Sequence, residues 1–241
     1  MDYENTFSNR CQSYSYAVHT YPKALQQEFQ TAVEELNLQK DDILLNIPAS
    51  CVSLQSYYTV QPNKVYEFET NKEFAELTNT PTCSFFSIPL PDKSVTKIIS
   101  LASLHHMTLE ERPLFYRECK RILKPGGELV IGDVKKGSDP AAWLNTFVNE
   151  HNPFGHKGIF WDEMDIPTFQ EEGFVTHLVE RNYTWDFDTK ESMLDFTKHL
   201  FGVECDMNIL EQGLEDYLTL KKTDKGYSYP WSLVYFHAKL S

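Results

Sequence analysis

Glycine is missing from the whole first half of this sequence, because the first of the 10 glycines in its 241 residues is Gly126. A loop that holds a nucleotide by close backbone approach normally depends on glycine, which has no Cβ and tolerates positive φ. The first half therefore contains no standard glycine-rich nucleotide loop.

Cysteine pairs and long apolar runs are missing as well. The five cysteines are scattered and include no C-x-x-C pair, which argues against a disulfide framework and a structural zinc site. No uninterrupted apolar run approaches the ~20 residues of a membrane span, and residues 1–10 lack the features of a signal peptide. We therefore expect a cytoplasmic protein that does not enter a membrane.

Positive charge is the third scarcity. The sequence has 22 Lys and Arg against 35 Asp and Glu, which gives a net charge of −13. Such a surface repels phosphate backbones and anionic membranes. Nucleic acid is not the expected partner, whereas a small or cationic molecule is.

What the sequence does contain is an alternation of helical and extended patterns. Apolar residues recur every three or four positions over 21–38, with Pro22 near the start, which predicts an amphipathic helix. Strands are predicted at 41–47, 63–68, 96–104 and 128–134, with helices between them at 71–77 and 108–123. This order predicts an α/β fold, in which helices cover both faces of a parallel sheet.

The second of these helices carries its own start and stop signals. Thr108 and Glu111 are spaced as a capping box at its beginning. Its apolar face is formed by Leu114, Phe115, Cys119 and Ile122. At its end Pro125 cannot continue a helix, and Gly126 and Gly127 permit the positive φ needed to re-enter the sheet. We interpret this turn as structural and not catalytic.

The second half continues with helix, strand, helix and strand patterns after a long interruption. These four patterns lie at 166–174, 176–187, 189–203 and 229–240. The interruption at 135–165 is a candidate substrate cover. We expect one domain over 1–241, with a helical segment at 1–40 and this insertion as its lid.

Two motifs together resemble a known family. The stretch "IPLPDKSVTKIISLASLHHM" (88–107) and the stretch "RILKPGGELVIGDV" (121–134) are similar to segments of class I S-adenosylmethionine-dependent methyltransferases that act on small molecules. The resemblance implies a Rossmann-like, seven-stranded, mostly parallel sheet with a reversed last strand. It also implies S-adenosylmethionine as the cofactor and a small-molecule acceptor.

The loop that should hold the cofactor departs from the family pattern. The family reads roughly "vLDiGcGtG", and this sequence reads "LLNIPASCV" over 44–52. Asn46 takes the acidic position, and Pro48, Ser50 and Val52 take the three glycine positions. Proline removes a backbone N–H, and the other two residues add a Cβ where the ligand would approach.

The remaining cofactor contacts are assigned through the resemblance. In the altered loop we assign Asn46, Ile47, Ala49 and Ser50. Glu69 takes the place of the acid that binds the ribose hydroxyls, with Thr70 beside it, and Glu67 is the alternative for a register two residues earlier. Near the adenine we expect Ser84 and Phe85, and at the end of the next strand Leu101 and Ala102.

Histidines are the candidate catalytic residues. His105 and His106 end the strand at 96–104 beside the cofactor pocket of this fold, where one of them could deprotonate a hydroxyl. In the insertion, His151 and His156 lie near Glu150 among aromatic residues that would suit a small, partly apolar substrate. These aromatics are Trp143, Phe147, Phe154, Phe160 and Trp161. They could instead form the core of a lid or a homodimer contact.

The segment "HNPFGHKG" could be mistaken for a metal motif. Its two histidines are five residues apart and have no clear third and fourth ligand in the sequence. We therefore predict no metal site.

Two hypotheses follow for the function. The first is a divergent methyltransferase that binds S-adenosylmethionine in an unusual way and methylates a small molecule. The second is a protein that keeps the fold but has lost the methyl donor, and that is either a non-methylating enzyme, such as a cyclase, or a noncatalytic partner.

Overall fold

One seven-stranded mixed sheet forms the centre of the computed structural model, which describes residues 10–241. Its strands are β1 (Ile43–Asn46), β2 (Lys64–Glu67), β3 (Val95–Leu101), β4 (Leu123–Asp133), β5 (Phe174–Phe187), β6 (Lys221–Thr223) and β7 (Gly226–Leu240). Their spatial order is β2-β1-β3-β4-β7-β5, with β6 paired to β7. Strands β1 to β4 pair in parallel, whereas β7 runs antiparallel to β4 and β5. This sheet confirms the predicted fold with its reversed last strand.

Helices pack on both faces of the sheet. They are α1 (Cys11–Thr20), α2 (Gln26–Leu36), α3 (Lys72–Thr78), α4 (Arg112–Ile122), α5 (Asp139–Ala142), α6 (Asn149–His151), α7 (Ile166–Glu171), α8 (Lys190–Phe201) and α9 (Met207–Leu218). Alternate strand residues belong to two separate apolar cores: Leu44 and Ile99 to one, Leu45 and Ile98 to the other. Within the described residues, no helix is long and apolar enough to cross a membrane.

Several element boundaries differ from the sequence predictions. The helix predicted over 21–38 begins only at Gln26, because a turn separates it from α1, which the sequence pattern did not indicate. The strand predicted over 96–104 ends at Leu101, since Ala102 turns the chain with a φ of 48°. Part of the predicted N-terminal segment, residues 1–9, lies outside the described residues.

The start and stop signals of α4 work largely as predicted. The Thr108 hydroxyl accepts the N–H of Glu111, and the Glu111 carboxylate accepts the N–H of Thr108, although α4 itself begins at Arg112. Leu114 is an exception to the predicted apolar face, because it is exposed. At the other end, Gly126 has a φ of 75°, as the turn requires.

Buried aromatic and charged groups attach the segment 135–165 to the rest of the fold. Trp143 and Trp161 are fully buried, so these two aromatics belong to the protein core. The Arg112 guanidinium lies 3.6 Å from the centre of the Trp161 ring, pairs with Asp165, and donates to the carbonyl of Ile159. Helix α4 therefore holds this segment over the edge of the sheet.

A charged network crosses the sheet on β4 and β7. His237 contacts the Glu35 carboxylate at 2.8 Å and the Glu128 carboxylate at 3.2 Å, and Lys97 also pairs with Glu128. Burial raises the pKa of Glu128, but hydrogen bonds from His237 and Lys97 outweigh it and lower that pKa to about 2. Burial lowers the pKa of His237, but the two carboxylates outweigh it and raise that pKa. The two carboxylates therefore favour the protonated form of His237.

We expect the substitution His237→Gln to lower the free energy of unfolding by about 2 kcal/mol near pH 5.5, because it removes hydrogen bonds to two charged groups. The Glu128 contribution is present above about pH 4.3 and is lost as the pH falls towards 2, since its pKa is lowered in the folded state. The His237 contribution is present below about pH 6.5 and is lost as the pH rises through its raised pKa. Urea unfolding at pH 5.5 and 8.5 measures the His237 contribution.

The variant His177→Gln is the matched control for this prediction. The His177 ring stacks on that of His237 with centroids 4.7 Å apart, but it takes no part in the network. An equal loss for both variants, or a His237→Gln effect that does not shrink at pH 8.5, would contradict the assignment.

Candidate functional site

Two adjoining cavities lie beyond the carboxyl ends of β1, β3 and β4. This is the edge of an open α/β sheet at which ligands bind. The first cavity, which we call the loop cavity, has about 560 Å³ of empty space including its open mouth. The second, the histidine cavity, has about 600 Å³ measured in the same way. Tyr14, Glu28 and Ala102 line both cavities and so form the junction between them.

The loop cavity is lined by the chain that follows β1. Of the residues predicted to bind a cofactor, it is lined by Asn46, Ala49, Ser50, Leu101 and Ala102. Ser50 has a φ of 49° and Ala102 a φ of 48°, so both hold the left-handed conformation that favours glycine. Ser50 stands at the second glycine position of the family pattern. The loop has thus kept a glycine-like backbone there without the glycine.

The carboxylate of Glu69 holds this loop from behind. It is fully buried and accepts the N–H groups of Ser50 at 2.7 Å, Thr70 at 2.7 Å and Asn71 at 2.8 Å. Burial raises the pKa of Glu69, and the three backbone donors act in the opposite direction. In this arrangement the carboxylate binds the loop, and Glu69 does not line the loop cavity.

Four other residues predicted for cofactor binding do not line the loop cavity. Ile47 is fully buried in the apolar core under α4, and Phe85 packs edge-on against Phe115 with ring centroids 5.4 Å apart. Ser84 accepts the N–H of Phe86, and Thr70 donates its N–H to Glu69. The residues predicted at the strand ends therefore meet at the loop cavity, whereas the residues predicted near the adenine do not line it.

Glu28, on α2, is a site residue that the sequence analysis missed. It is 4 % exposed, and Tyr183 and Trp185 both donate to its Oε2 atom, at 3.0 and 3.2 Å. Burial raises the pKa of Glu28 to about 7, although these two hydrogen bonds act to lower it. A signal was present in the sequence, because Glu28 lies three residues after Leu25 on the apolar face of the predicted helix.

The histidine cavity has aromatic walls from the C-terminal half of the chain. Trp185 and Trp231 stack with ring centroids 4.3 Å apart, and Phe201 lies beside them. Arg10 also lines the cavity and donates to the carbonyl of Leu200 at 2.6 Å. The sequence analysis had placed the aromatic wall in the insertion instead, where Trp143 and Trp161 are core residues.

Three of the four histidines predicted as catalytic meet in the histidine cavity. His105, His106 and His156 are all buried, and their rings have centroids between 4.2 and 5.3 Å apart. Burial lowers the pKa values of His106 and His156 well below the ordinary value, and the neighbouring histidine rings lower them further. These two imidazoles are therefore neutral at pH 7.

Two of these rings are held by oxygen acceptors. The Nδ1 atom of His105 lies 2.7 Å from the Asp133 carboxylate, which also accepts the backbone N–H of His105. The Nδ1 atom of His156 lies 3.0 Å from the side-chain oxygen of Asn145. An acceptor at Nδ1 fixes the proton there and leaves the lone pair on Nε2.

His151, the fourth predicted histidine, is not part of this cluster. Its ring packs on Phe147, with centroids 4.4 Å apart, and Glu150 beside it is exposed. The sequence pattern could not pair His156 with His105 and His106, because 50 residues separate them. The contact depends on the fold of the insertion.

Comparisons with known proteins agree with this architecture. Residues 52–131 match a family model described as a methyltransferase domain, whereas no curated protein sequence matches. Among solved structures, the YcgJ protein of Bacillus subtilis has 14% identity and a TM-score of 0.64, covering 90% of this chain and 99% of its own.

Two further solved structures are similar. The partner of the Trm112 methyltransferase activator from Haloferax volcanii has 12% identity and a TM-score of 0.65, over 100% of this chain and 98% of its own. A SAM-dependent methyltransferase from Thermotoga maritima has 15% identity and a TM-score of 0.61, over 98% and 99%. Identities of this size establish the fold and not the activity.

The family match and the fold point to the same conclusion. The matched residues run from Val52 to β4, and they include the end of β3 that lines the loop cavity, whereas the end of β1 lies before the match. The chain therefore has the fold of the class I S-adenosylmethionine-dependent methyltransferases and matches a methyltransferase-domain model over 52–131, with a first loop that lacks the glycines of the family pattern.

Proposed function

We propose that this protein is a cytoplasmic enzyme that transfers a methyl group from S-adenosylmethionine to a small, partly apolar molecule. The observation that carries the proposal is the junction of the two cavities at Glu28 and Ala102. One cavity lies where the fold binds its cofactor, and the other is lined by aromatic residues and three histidines. A donor in the first would therefore face an acceptor in the second.

The residues of the loop cavity fit a cationic cofactor at its inner end. Asn46 has replaced the family's acid, but the Glu28 carboxylate lies in the same cavity and supplies a negative charge. The positive φ of Ser50 and Ala102 keeps the backbone course that glycine normally provides. S-Adenosylmethionine, when bound, supplies the methyl group. Asn46, Ala49, Ser50 and Glu28 are the residues we expect to hold it.

Glu28 is also the group that we expect to accept the proton of the acceptor. A general base works best when its pKa is near the operating pH, and the pKa of Glu28 is about 7. Tyr183 and Trp185 occupy its Oε2 atom, which leaves Oε1 for the acceptor. As the acceptor atom bonds to the methyl carbon and the carbon–sulfur bond breaks, its proton would pass to Oε1. Trp185 and Trp231 would position the apolar part of the acceptor.

A specific observation favours the alternative, a protein that no longer uses the donor. The Glu69 carboxylate, which the family resemblance assigned to the ribose hydroxyls, is engaged by three backbone N–H groups. In addition, Ser50 carries a Cβ at a position where the family has glycine. A non-methylating reaction in the histidine cavity would need neither contact.

Calorimetry with S-adenosylhomocysteine separates these two functions. We expect the full-length protein to bind this product with a dissociation constant in the micromolar range, because Asn46, Leu101 and Ala102 still line the loop cavity at the ends of β1 and β3. No heat of binding at millimolar ligand would overturn the methyltransferase proposal and support the alternative.

The substitution Glu28→Gln should stabilise the protein above pH 7. The pKa of Glu28 rises from 4.5 to about 7 on folding, so the free energy of unfolding falls as the pH rises through that range, by about 3 kcal/mol in total. Glutamine keeps an oxygen for Tyr183 and Trp185 but carries no charge. In urea unfolding, the free energy of unfolding of Glu28→Gln should depend much less on pH than that of the wild type. Methyl transfer should be abolished.

A matched control for this variant is Glu34→Gln, on the same helix. Glu34 is exposed and lines neither cavity, so its side chain is not part of the site. An unchanged pH slope in Glu28→Gln, or a stabilisation of equal size in Glu34→Gln, would contradict the assignment.

The substitution Ser50→Gly should tighten binding of S-adenosylhomocysteine. Glycine adopts a φ of 49° without the cost that a side chain imposes, and it removes the Cβ from the loop cavity. We expect at least a threefold lower dissociation constant by calorimetry, and a free energy of unfolding changed by no more than about 1 kcal/mol.

Ser53→Gly is the control for this substitution. Ser53 has a φ of −77°, and its hydroxyl accepts the N–H of Gln55, so glycine removes a cap there and relieves no strain. Equal or weaker binding in Ser50→Gly would show that its Cβ does not limit access to the loop cavity.

A further inference from the structure

The three histidines of the histidine cavity have the composition of a metal site. One ring nitrogen from each of His105, His106 and His156 lies within 4.8 Å of the other two. All three side chains are buried, and all three line the cavity, so an ion could reach them. We propose that this cluster binds one Zn²⁺ ion, or a first-row divalent ion of similar preference, through three imidazole nitrogens.

The geometry is close to that of a three-histidine zinc site. Zinc binds imidazole nitrogen at about 2.0–2.1 Å, which in a tetrahedron separates the nitrogens by about 3.3 Å. The rings would have to close on the ion by about 1.5 Å at most from the separations in this structure. Rotations about the side-chain bonds supply a movement of this size.

Two of the rings already make the hydrogen bonds that metal-binding histidines make with neighbouring oxygens. The Asp133 carboxylate accepts from His105 Nδ1, and the Asn145 side-chain oxygen accepts from His156 Nδ1. Metal-binding histidines in proteins usually donate their other ring N–H to such an oxygen, which fixes the ring and directs Nε2 at the ion. With Nδ1 directed at these oxygens, Nε2 of both rings is the atom that would bind the ion.

The backbone of the insertion packs closely around the cluster. The N–H of Ile159 donates to the carbonyl of His105 at 2.7 Å, and a Cβ on Gly158 would lie 3.0 Å from the His105 ring. Asn145 accepts the N–H of Gly158 and donates to its carbonyl from the wide helical turn at 143–148. These contacts fix the position of His156 relative to His105 and His106.

The charges around the cluster allow a cation. The Asp133 carboxylate contacts His105 from the sheet, and the Glu28 carboxylate lines the same cavity as the cluster. Arg10, which is positively charged, also lines this cavity. The cluster consists of three histidines, without a cysteine or a carboxylate. This ligand set favours zinc or a neighbouring ion over magnesium or calcium.

Three ligands leave a fourth position for a molecule in the cavity. In catalytic zinc sites that position takes water or substrate, and here it would face the cavity in which the acceptor is proposed to bind. This role rests on the proposed function, whereas metal binding itself does not. The assignment makes His105, His106 and His156 ligands, and it leaves Glu28 as the base.

Zinc titration of the full-length protein tests the proposal without any methyl donor. After dialysis against a chelator, calorimetry should show one equivalent of Zn²⁺ with a dissociation constant in the micromolar range or below. Cobalt(II) should give the intense visible absorption of a four-coordinate site. Asn145→Ala should weaken Zn²⁺ binding 10- to 100-fold by freeing His156, and His156→Gln should weaken it at least as much.

His19→Gln is the matched control, because His19 is exposed and bonds only within its own helix. Circular dichroism of each variant checks its fold, and Asn145→Ala serves if His156→Gln does not fold. No zinc binding by the wild type, or equal affinity in Asn145→Ala and His19→Gln, would overturn the metal site. A loss of S-adenosylhomocysteine binding alone would overturn only the proposed function.

Discussion

The turn after β1 depends on one buried carboxylate, and the functional site depends on that turn. Glu69 accepts three backbone N–H groups, those of Ser50, Thr70 and Asn71, and these hydrogen bonds offset the cost of burying its carboxylate. This contact fixes Ser50 in a conformation that would otherwise favour glycine. A contact between a carboxylate and the backbone thus holds serine in this conformation, at a position where the family pattern has glycine.

The second feature of the site is a charge that is costly to bury. Glu28 lies between the two cavities, and its raised pKa means that the folded state is less stable whenever the carboxylate is ionised. A glutamine or an apolar residue would remove this cost. A buried group that lowers stability at neutral pH, at the junction of two cavities, is typical of a functional position. The three neighbouring histidines add imidazole nitrogens on the other side of the junction.

Local patterns predicted most of the sheet and part of the site. The apolar runs, the Thr108 capping box and the turn at Gly126 depend on nearby residues, so the sequence indicated β1 to β4 and their helices. The role of Glu28 depends on donors from β5, more than 150 residues away, and the histidine cluster depends on the path of the insertion. Such contacts leave no periodic signal. The sequence also did not predict the positive φ of Ser50, because serine disfavours that conformation.

The central claim is that Glu28 supplies the negative charge that the altered loop lost. S-Adenosylmethionine carries a positive sulfonium, whereas S-adenosylhomocysteine has a neutral sulfur, so the ratio of their affinities reports the charge near that atom. The most direct measurement compares this ratio, by calorimetry at pH 8, in the wild type and in Glu28→Gln. The account predicts that the wild type prefers the sulfonium and that the variant loses this preference. The same ratio in both proteins would contradict it.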